Sequence, residues 1–373
     1  IKEIQSKLQG GEILTDKAGN PTGILNENAE LIIQSLMPDD NSEKLMLKKF
    51  NAAVKECQRN GITSFHDAGV LSKTLNLYLK MKEKGKIGVR LHVMLYKDNN
   101  LLNEWFERGP YIDSVDHMLN IRSVKLLADG ALGNRGAWLT EAYSDKPDWF
   151  GLNTVSPKLM KEIAEKCLQN GFQLCIHAIG DRANHEVLDI YESAIKKYPK
   201  LSKDHRFRIE HAQHLHEKDI PRFSELGVIA AMQAIHMSSD RPWAIDRLGA
   251  ERIKEGAYVW QKLIQSGAHI MNGTDVPVEP LNPIACFYAS VSRKTLDGIP
   301  ENGFESEQKM TREEALRSYT INGAFGSFEE HIKGSIETGK LADFAILDKD
   351  IMTIPEGEIL SAKVVMTIFN GAV

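Results

Sequence analysis

Seven short runs of apolar and β-branched residues, each opening after a glycine or a polar turn, set the tightest limit on what this chain can become. They are Ile62 to Phe65, Val89 to Leu95, Ile121 to Leu127, Phe172 to Ile176, Phe207 to Glu210, Val228 to Ala231 and His269 to Asn272. Helical patterns lie between and beside them, near 43–60, 71–84, 156–170, 181–198, 216–226 and 250–266, with apolar residues at helical spacing such as Ile163, Cys167 and Leu168. Leu159 to Asn170 is followed by Gly171, the residue that most easily takes a left-handed helix stop. Strand, helix, strand in steady alternation predicts a parallel sheet wrapped by helices. The predicted class is therefore α/β, a (β/α)8 TIM-like barrel lacking its first strand, and a doubly wound open sheet is the competing architecture.

The chain ends read differently. Glu12-Ile13-Leu14 and Thr22 to Leu25 flank a turn-rich stretch, Asp16 to Pro21, and predict a hairpin. Residues 1–42 are thus a hairpin or insertion leading into the barrel, and 43–333 hold strands two to eight. Asp343 to Leu347 and Lys363 to Phe369 predict a small β appendage. The segment 128–155 is long for a strand-to-helix loop and carries Trp138, Tyr143, Trp149 and Phe150, which suggests a lid or pocket wall.

Composition excludes several functions. The formal charge is -5, with Lys and Arg scattered among acids, so there is no basic stripe for nucleic acid. No apolar run reaches the length of a membrane span. Cys57, Cys167, Cys175 and Cys286 form no Cys-x-x-Cys pair and read as buried free thiols. The chain starts at Ile1 rather than at a methionine and its beginning reads as cut, so a cytoplasmic location is only an expectation. A homo-oligomer is compatible with all of this.

In a parallel barrel, reactive groups gather at the C-terminal ends of strands. Lys125, His177, His211 and Asp275 fall at such places, and His177 and His211 are 34 residues apart, about one strand-helix unit. A lone histidine at a strand end is more often a structural, hydrogen-bonded residue, but two imidazoles and a carboxylate suit a zinc-type ion with a position left for water. Such an ion lowers the pKa of its water to about 7 and polarises a carbonyl. Asp275 could accept the water's proton and pass it to a leaving amine. Lys125 fits a cation site only if its charge is removed, as in a CO2-derived carbamate; the alternative is an inward lysine paired with Asp129 or another acid.

Five segments resemble the amidohydrolase superfamily. They are Lys125-Leu-Leu-Ala-Asp-Gly-Ala-Leu-Gly, Ile176-His-Ala-Ile-Gly-Asp-Arg-Ala, Arg208-Ile-Glu-His-Ala-Gln-His-Leu, Asn272-Gly-Thr-Asp-Val-Pro-Val and Gly334-Ser-Ile-Glu-Thr-Gly-Lys-Leu-Ala-Asp-Phe. They are most similar to the YtcJ-like branch, amidohydrolase family 3, which includes N-substituted formamide deformylase. The resemblance implies a distorted barrel with a small β-sandwich, of which 334–373 is the C-terminal part. It implies one or two divalent metals, Zn or alternatively Fe, Mn or Co, on Lys125, His177, His211 and Asp275, with Lys125 carboxylated and Asp275 also the proton shuttle. His66, Asp67, Asp129, Arg135 and His236 are candidate substrate contacts at the mouth.

The family's strand-one His-x-His is not found, and His214-Leu215-His216 follows strand six at the start of a helix, the wrong place for it. A metal held by this chain alone is expected to bind weakly, which leaves the activity of the segment by itself open. The leading expectation is a metal-dependent hydrolase that cleaves an amide-type C–N bond of a small N-formyl or N-acyl amine by metal-activated hydroxide. A heterocycle deaminase and a non-catalytic scaffold are the alternatives.

Overall fold

A computed structural model describes residues 8–34, 36–37 and 42–373. An N-terminal hairpin, β1 (Gly11–Thr15) and β2 (Pro21–Glu27), is followed by β3 (Ser64–Val70), β4 (Arg90–Tyr96), the short β5 (Tyr111–Ile112), β6 (Leu119–Leu127), β7 (Gln173–Ala178), β8 (Arg208–His211), β9 (Ile229–Met232) and β10 (Ile270–Asn272). The sheet order is β10-β9-β8-β7-β6-β4-β3, parallel throughout apart from β5, which pairs antiparallel with β6. No neighbour is out of chain order. That rules out a doubly wound sheet, whose strand order reverses at a switch point.

The sheet curls into a barrel wall. β3 and β8 stand four places apart, roughly 19 Å in a flat sheet, yet Arg208 Nη1 on β8 lies 3.1 Å from His66 Nδ1 on β3. Both faces of the wall are covered. On β4, Val93 and Leu95 are fully buried, while His92 faces the interior, with its Nε2 2.8 Å from Ser123 Oγ on β6. Strands buried on both faces belong to parallel sheets ringed by helices. Those helices include Glu43–Arg59, Ser72–Glu83, Pro157–Asn170, Asp181–Lys197 and Ile220–Leu226. Gly171 takes the left-handed stop, with φ 75.

Three differences from the sequence reading have physical causes. β3 runs on through His66 and Asp67 instead of ending before them, because each polar residue finds a partner on its own face of the wall: Arg208 inside, Tyr78 outside. The helix expected near 250–266 starts where expected, because the non-helical Gly249 (φ 77, ψ 163) breaks Ala234–Gly256 into two helices, but it stops at Gly256 and resumes as Trp260–Gln265. Helix Pro283–Ser292 was not anticipated, since every residue from Ile284 to Ser292 is buried and no polar face marks it.

The two terminal hairpins form separate sheets among the described residues. The N-terminal one docks on the loop after β6, where Lys146 pairs with Glu12 at 3.1 Å and Asn28 Nδ2 donates to the Thr154 carbonyl at 3.2 Å. The C-terminal one, β11 (Phe344–Leu347) and β12 (Val364–Ile368), lies at the opposite, N-terminal end of the strands. Arg90, the first residue of β4, anchors it there, donating from Nε to Asp343 Oδ2 at 2.6 Å and from Nη2 to Oδ1 at 3.0 Å. Among the described residues, no helix is long and apolar enough to cross a membrane.

Arg90 and Asp343 side chains are 1% and 6% exposed, so removing the arginine strands a buried carboxylate. Arg90→Ala is expected to cost roughly 3–5 kcal/mol, and Arg90→Met with Asp343→Leu to recover most of that. Urea unfolding midpoints of the two variants test it.

Candidate functional site

Side chains from four strands and their loops meet at the C-terminal mouth. On β7, Gln173 touches the interior residue Ser123, so by the period of two His177 also points inward. On β8, Arg208 and Glu210 point inward, and the same alternation would send His211 outward to the helices. It does not go there. His211 has φ 77 and Ala212 φ 42, a left-handed turn rare outside glycine. The imidazole is thereby brought to 4.5 Å from the His177 ring, centroid to centroid. Asp275, three residues beyond β10, is also left-handed, with φ 58.

His211, His236 and Asp275 each place one ligand atom within 4.8 Å of the others. A tetrahedral ion with bonds near 2.0–2.1 Å wants about 3.3 Å between ligand atoms, so modest side-chain rotation would close the group on a cation. His236 Nε2 lies 3.6 Å from Asp275 Oδ2. The buried Nε2 of His236 has no hydrogen-bond partner, and that of His177 makes no hydrogen bond although an Asp129 oxygen lies 3.3 Å away. Buried polar atoms left unpaired are uncommon and call for a ligand or water.

Electrostatics favours lone pairs at this place. Burial, with His177 and Lys125 nearby, holds His211 well below the usual histidine range, and burial takes His236 down to about 4. Both are neutral at pH 7. Gln233, directly after β9, selects the His211 tautomer: its Nε2 donates to the Ala231 carbonyl at 3.2 Å, which turns its Oε1 to His211 Nδ1 at 2.7 Å. An amide oxygen only accepts, so Nδ1 carries the proton and Nε2 is bare. Sequence reading missed Gln233; a glutamine next to a strand end has no signature of its own.

Lys125 is buried on β6, beside Cys175 in the register. Burial lowers its pKa, opposed by the charges of Glu210, Cys175 and Asp275. Burial likewise raises the Asp275 carboxyl above the usual range, against Lys125 and His177, although its side chain is 37% exposed.

The mouth candidates go to separate places. Asp129 is fully buried, and its carboxylate accepts from Trp138 N (2.8 Å), Ile179 N (3.0 Å) and Gly180 N (2.8 Å) while lying 3.3 Å from His177 Nε2. It clasps the long loop to the β7 turn. Arg135 forks onto Asp145 at 3.0 and 2.8 Å within that loop. His66 sits deeper in the barrel against Arg208 and His92. Asp67 faces away from the mouth and accepts from Tyr78 at 2.5 Å. Of these five candidates, only His236 joins the histidine and aspartate cluster. In the His-x-His segment, His214 is buried and His216 caps a short 3-10 helix through Lys218 N.

This barrel with its histidine and carboxylate mouth has known counterparts. A model of the amidohydrolase family matches residues 1–373, and the chain belongs to that family of hydrolases acting on C–N bonds. It is 31% identical to the protein YtcJ of Bacillus subtilis over 98% of this chain and 68% of that one. It is 26% identical to N-substituted formamide deformylase of Arthrobacter pascens, covering 97% and 67%. The protein LONG AFTER FAR-RED 3 of Arabidopsis thaliana is 32% identical over 91% of this chain and 59% of its own length. The chain thus spans about two thirds of the curated relatives it matches. Among solved structures, an uncharacterized metal-dependent hydrolase from Pyrococcus horikoshii superposes with TM-score 0.78 at 27% identity, covering 92% of this chain and 68% of that one.

A half-buried carboxyl lies one helical turn beyond His236. Asp240 accepts from Tyr258 Oη at 3.2 Å and Gln213 Nε2 at 3.4 Å, with Ser239 and Glu279 beside it, and burial pushes it up to about 6. A folded-state pKa above the unfolded value means stability is complete below about pH 4 and falls as pH rises through 6. Asp240→Asn should remove that fall, becoming more stable than the parent by a margin that grows to roughly 3 kcal/mol above pH 7. Unfolding of both proteins at pH 4 and pH 8 reads the difference; equal margins at the two values would refute it.

Proposed function

We propose that this chain forms the catalytic barrel of a metal-dependent hydrolase that cleaves the amide-type C–N bond of a small N-formyl or N-acyl amine. The reading rests above all on one observation: the His177 and His211 rings meet at 4.5 Å between centroids, and His211, Asp275 and His236 bring ligand atoms within 4.8 Å of one another. The metal-dependent Pyrococcus neighbour and the formamide deformylase relative support it.

His177, His211, Asp275 and a carboxylated Lys125 are the proposed holders of one or two divalent ions. When bound, such an ion lowers the pKa of water to about 7 and draws electrons from a carbonyl oxygen. Zinc is the first choice, with Fe, Mn and Co suited to the same donors. The chain's own residues do the rest. Gln233 keeps the His211 lone pair directed at the site. Burial favours the neutral amine of Lys125, the form that adds CO2. Asp275 takes a proton from the attacking water as its oxygen joins the carbonyl carbon, and delivers it to the nitrogen as the C–N bond breaks. His236, neutral and facing Asp275, is placed to hydrogen-bond the substrate. All four cysteines are buried and free, which suits a reducing, cytoplasmic setting.

The test uses the protein at its full natural length, supplied with metal and offered a panel of N-formyl and N-acyl amines. Asp275→Asn should lower kcat by about 10²–10⁴-fold. His211→Ala should lose bound metal, while His236→Ala should raise KM and weaken metal binding only modestly, because His177, His211 and Asp275 remain as holders. Full activity in Lys125→Met would favour the deaminase chemistry instead. A protein that stays metal-free and turns over nothing would point to a scaffold.

A further inference from the structure

At the end of β2, Glu27 adopts φ 52, ψ -127, a conformation costly for a residue with a side chain. The strain presents its carboxylate to the loop after β6. Oε1 accepts from Asn134 Nδ2 at 2.8 Å and from Ala131 N at 3.3 Å. Asn134 is itself held, since its Oδ1 accepts from Gly136 N at 2.8 Å. The receiving loop has no room for methyl groups: a Cβ on Gly130 would stand 2.1 Å from Glu27 Oε1, and one on Gly136 2.7 Å. This is a fitted cradle for one carboxylate.

The two ends of the cradle are Asp129 and Trp138, and Trp138 N donates to Asp129 Oδ2 at 2.8 Å. Asp129 in turn stands 3.3 Å from His177 Nε2. We propose that Glu27 is a positioning residue: it latches the N-terminal hairpin into the loop 129–138 and so sets Asp129 and, through it, the His177 imidazole. The latch is a statement about geometry; its catalytic consequence rests on the hydrolase reading above.

The experiment compares three variants of the full chain by amide hydrogen exchange at Ala131 and Trp138 and by the imidazole 15N resonances of His177. In Glu27→Ala, both amides should exchange about tenfold faster, the equivalent of one lost charge-assisted hydrogen bond, and the His177 signals should move. Glu27→Gln keeps an acceptor oxygen for the same two donors and should stay within about threefold of the parent, with His177 unmoved. Glu12→Gln weakens the Lys146 contact of the same hairpin but keeps an acceptor for Asn26, whose Nδ2 also reaches the Asn134 carbonyl at 3.5 Å, and should leave both readouts unchanged. In the active enzyme, Glu27→Ala should lower kcat with little change in KM. Unchanged exchange or an unmoved His177 in Glu27→Ala would overturn the proposal, as would an equal response in Glu12→Gln, since that means only general loosening. Should Glu27→Ala fail to fold, Asn134→Ala removes the 2.8 Å partner from the other side and is read by the same signals. If the parent hydrolyses no amide, the functional reading falls, while exchange and resonance still decide the latch.

Discussion

One fully buried carboxylate, Asp129, holds the mouth of this barrel together. A charge out of water is tolerated only where donors replace the water, and three backbone N–H groups from two segments do so here. Two donors, Ile179 and Gly180, belong to the turn after β7, and the third, Trp138, to the long loop after β6. That loop therefore cannot leave without exposing the charge or abandoning it. The approach is close enough that a Cβ on Gly180 would meet the Trp138 carbonyl oxygen at 2.0 Å. The same carboxylate lies beside His177, so loop closure and histidine placement are one event.

The rest of the site follows from burial without charge pairing. His211 and His236 are buried and neutral, and one tautomer of His211 is selected by Gln233. Below them the barrel interior turns polar, with Arg208 bound to Glu210 and reaching His66. Burial, with Arg208 and Lys333 nearby, holds the His66 and His92 imidazoles there well below the usual histidine range. The interior thus has a lower layer built on the Arg208–Glu210 ion pair and an upper layer of neutral histidines beside Asp275. Free lone pairs on rigid elements are what a metal or a substrate can use.

Much of the fold was legible because it rests on periodicity. The seven apolar runs each became a parallel strand, with ends moved by at most five residues, since burial on both faces makes such runs continuous in sequence. Part of what escaped detection lacked a pattern: helix Pro283–Ser292 is buried all round, and β3 continues through His66 and Asp67 because of partners distant in the chain, whereas helix Asn99–Arg108, capped by Asp98 and stopped at Gly109, carried a legible apolar face and was still not read. At the mouth, residue type and strand position singled out His177, His211 and Asp275, and separately His236; the structure groups His236 with His211 and Asp275, while His177 packs its ring against His211. Asp67 and Arg135 looked equivalent to it in sequence, yet their nearest charges and hydroxyls, Asp145 and Tyr78, hold them elsewhere.

The amino-acid sequence by itself determined the class of fold, the order of the strands and which chemical groups reach their C-terminal ends, because these depend on local periodicity and spacing. Only the tertiary structure decided where those groups point. Alternation along β8 assigns His211 to the outer face, and a left-handed backbone at His211 and Ala212 reverses that assignment. Such a conformation is unfavourable locally and persists only because surrounding packing and hydrogen bonds outweigh its cost, which no window of sequence around the residue contains.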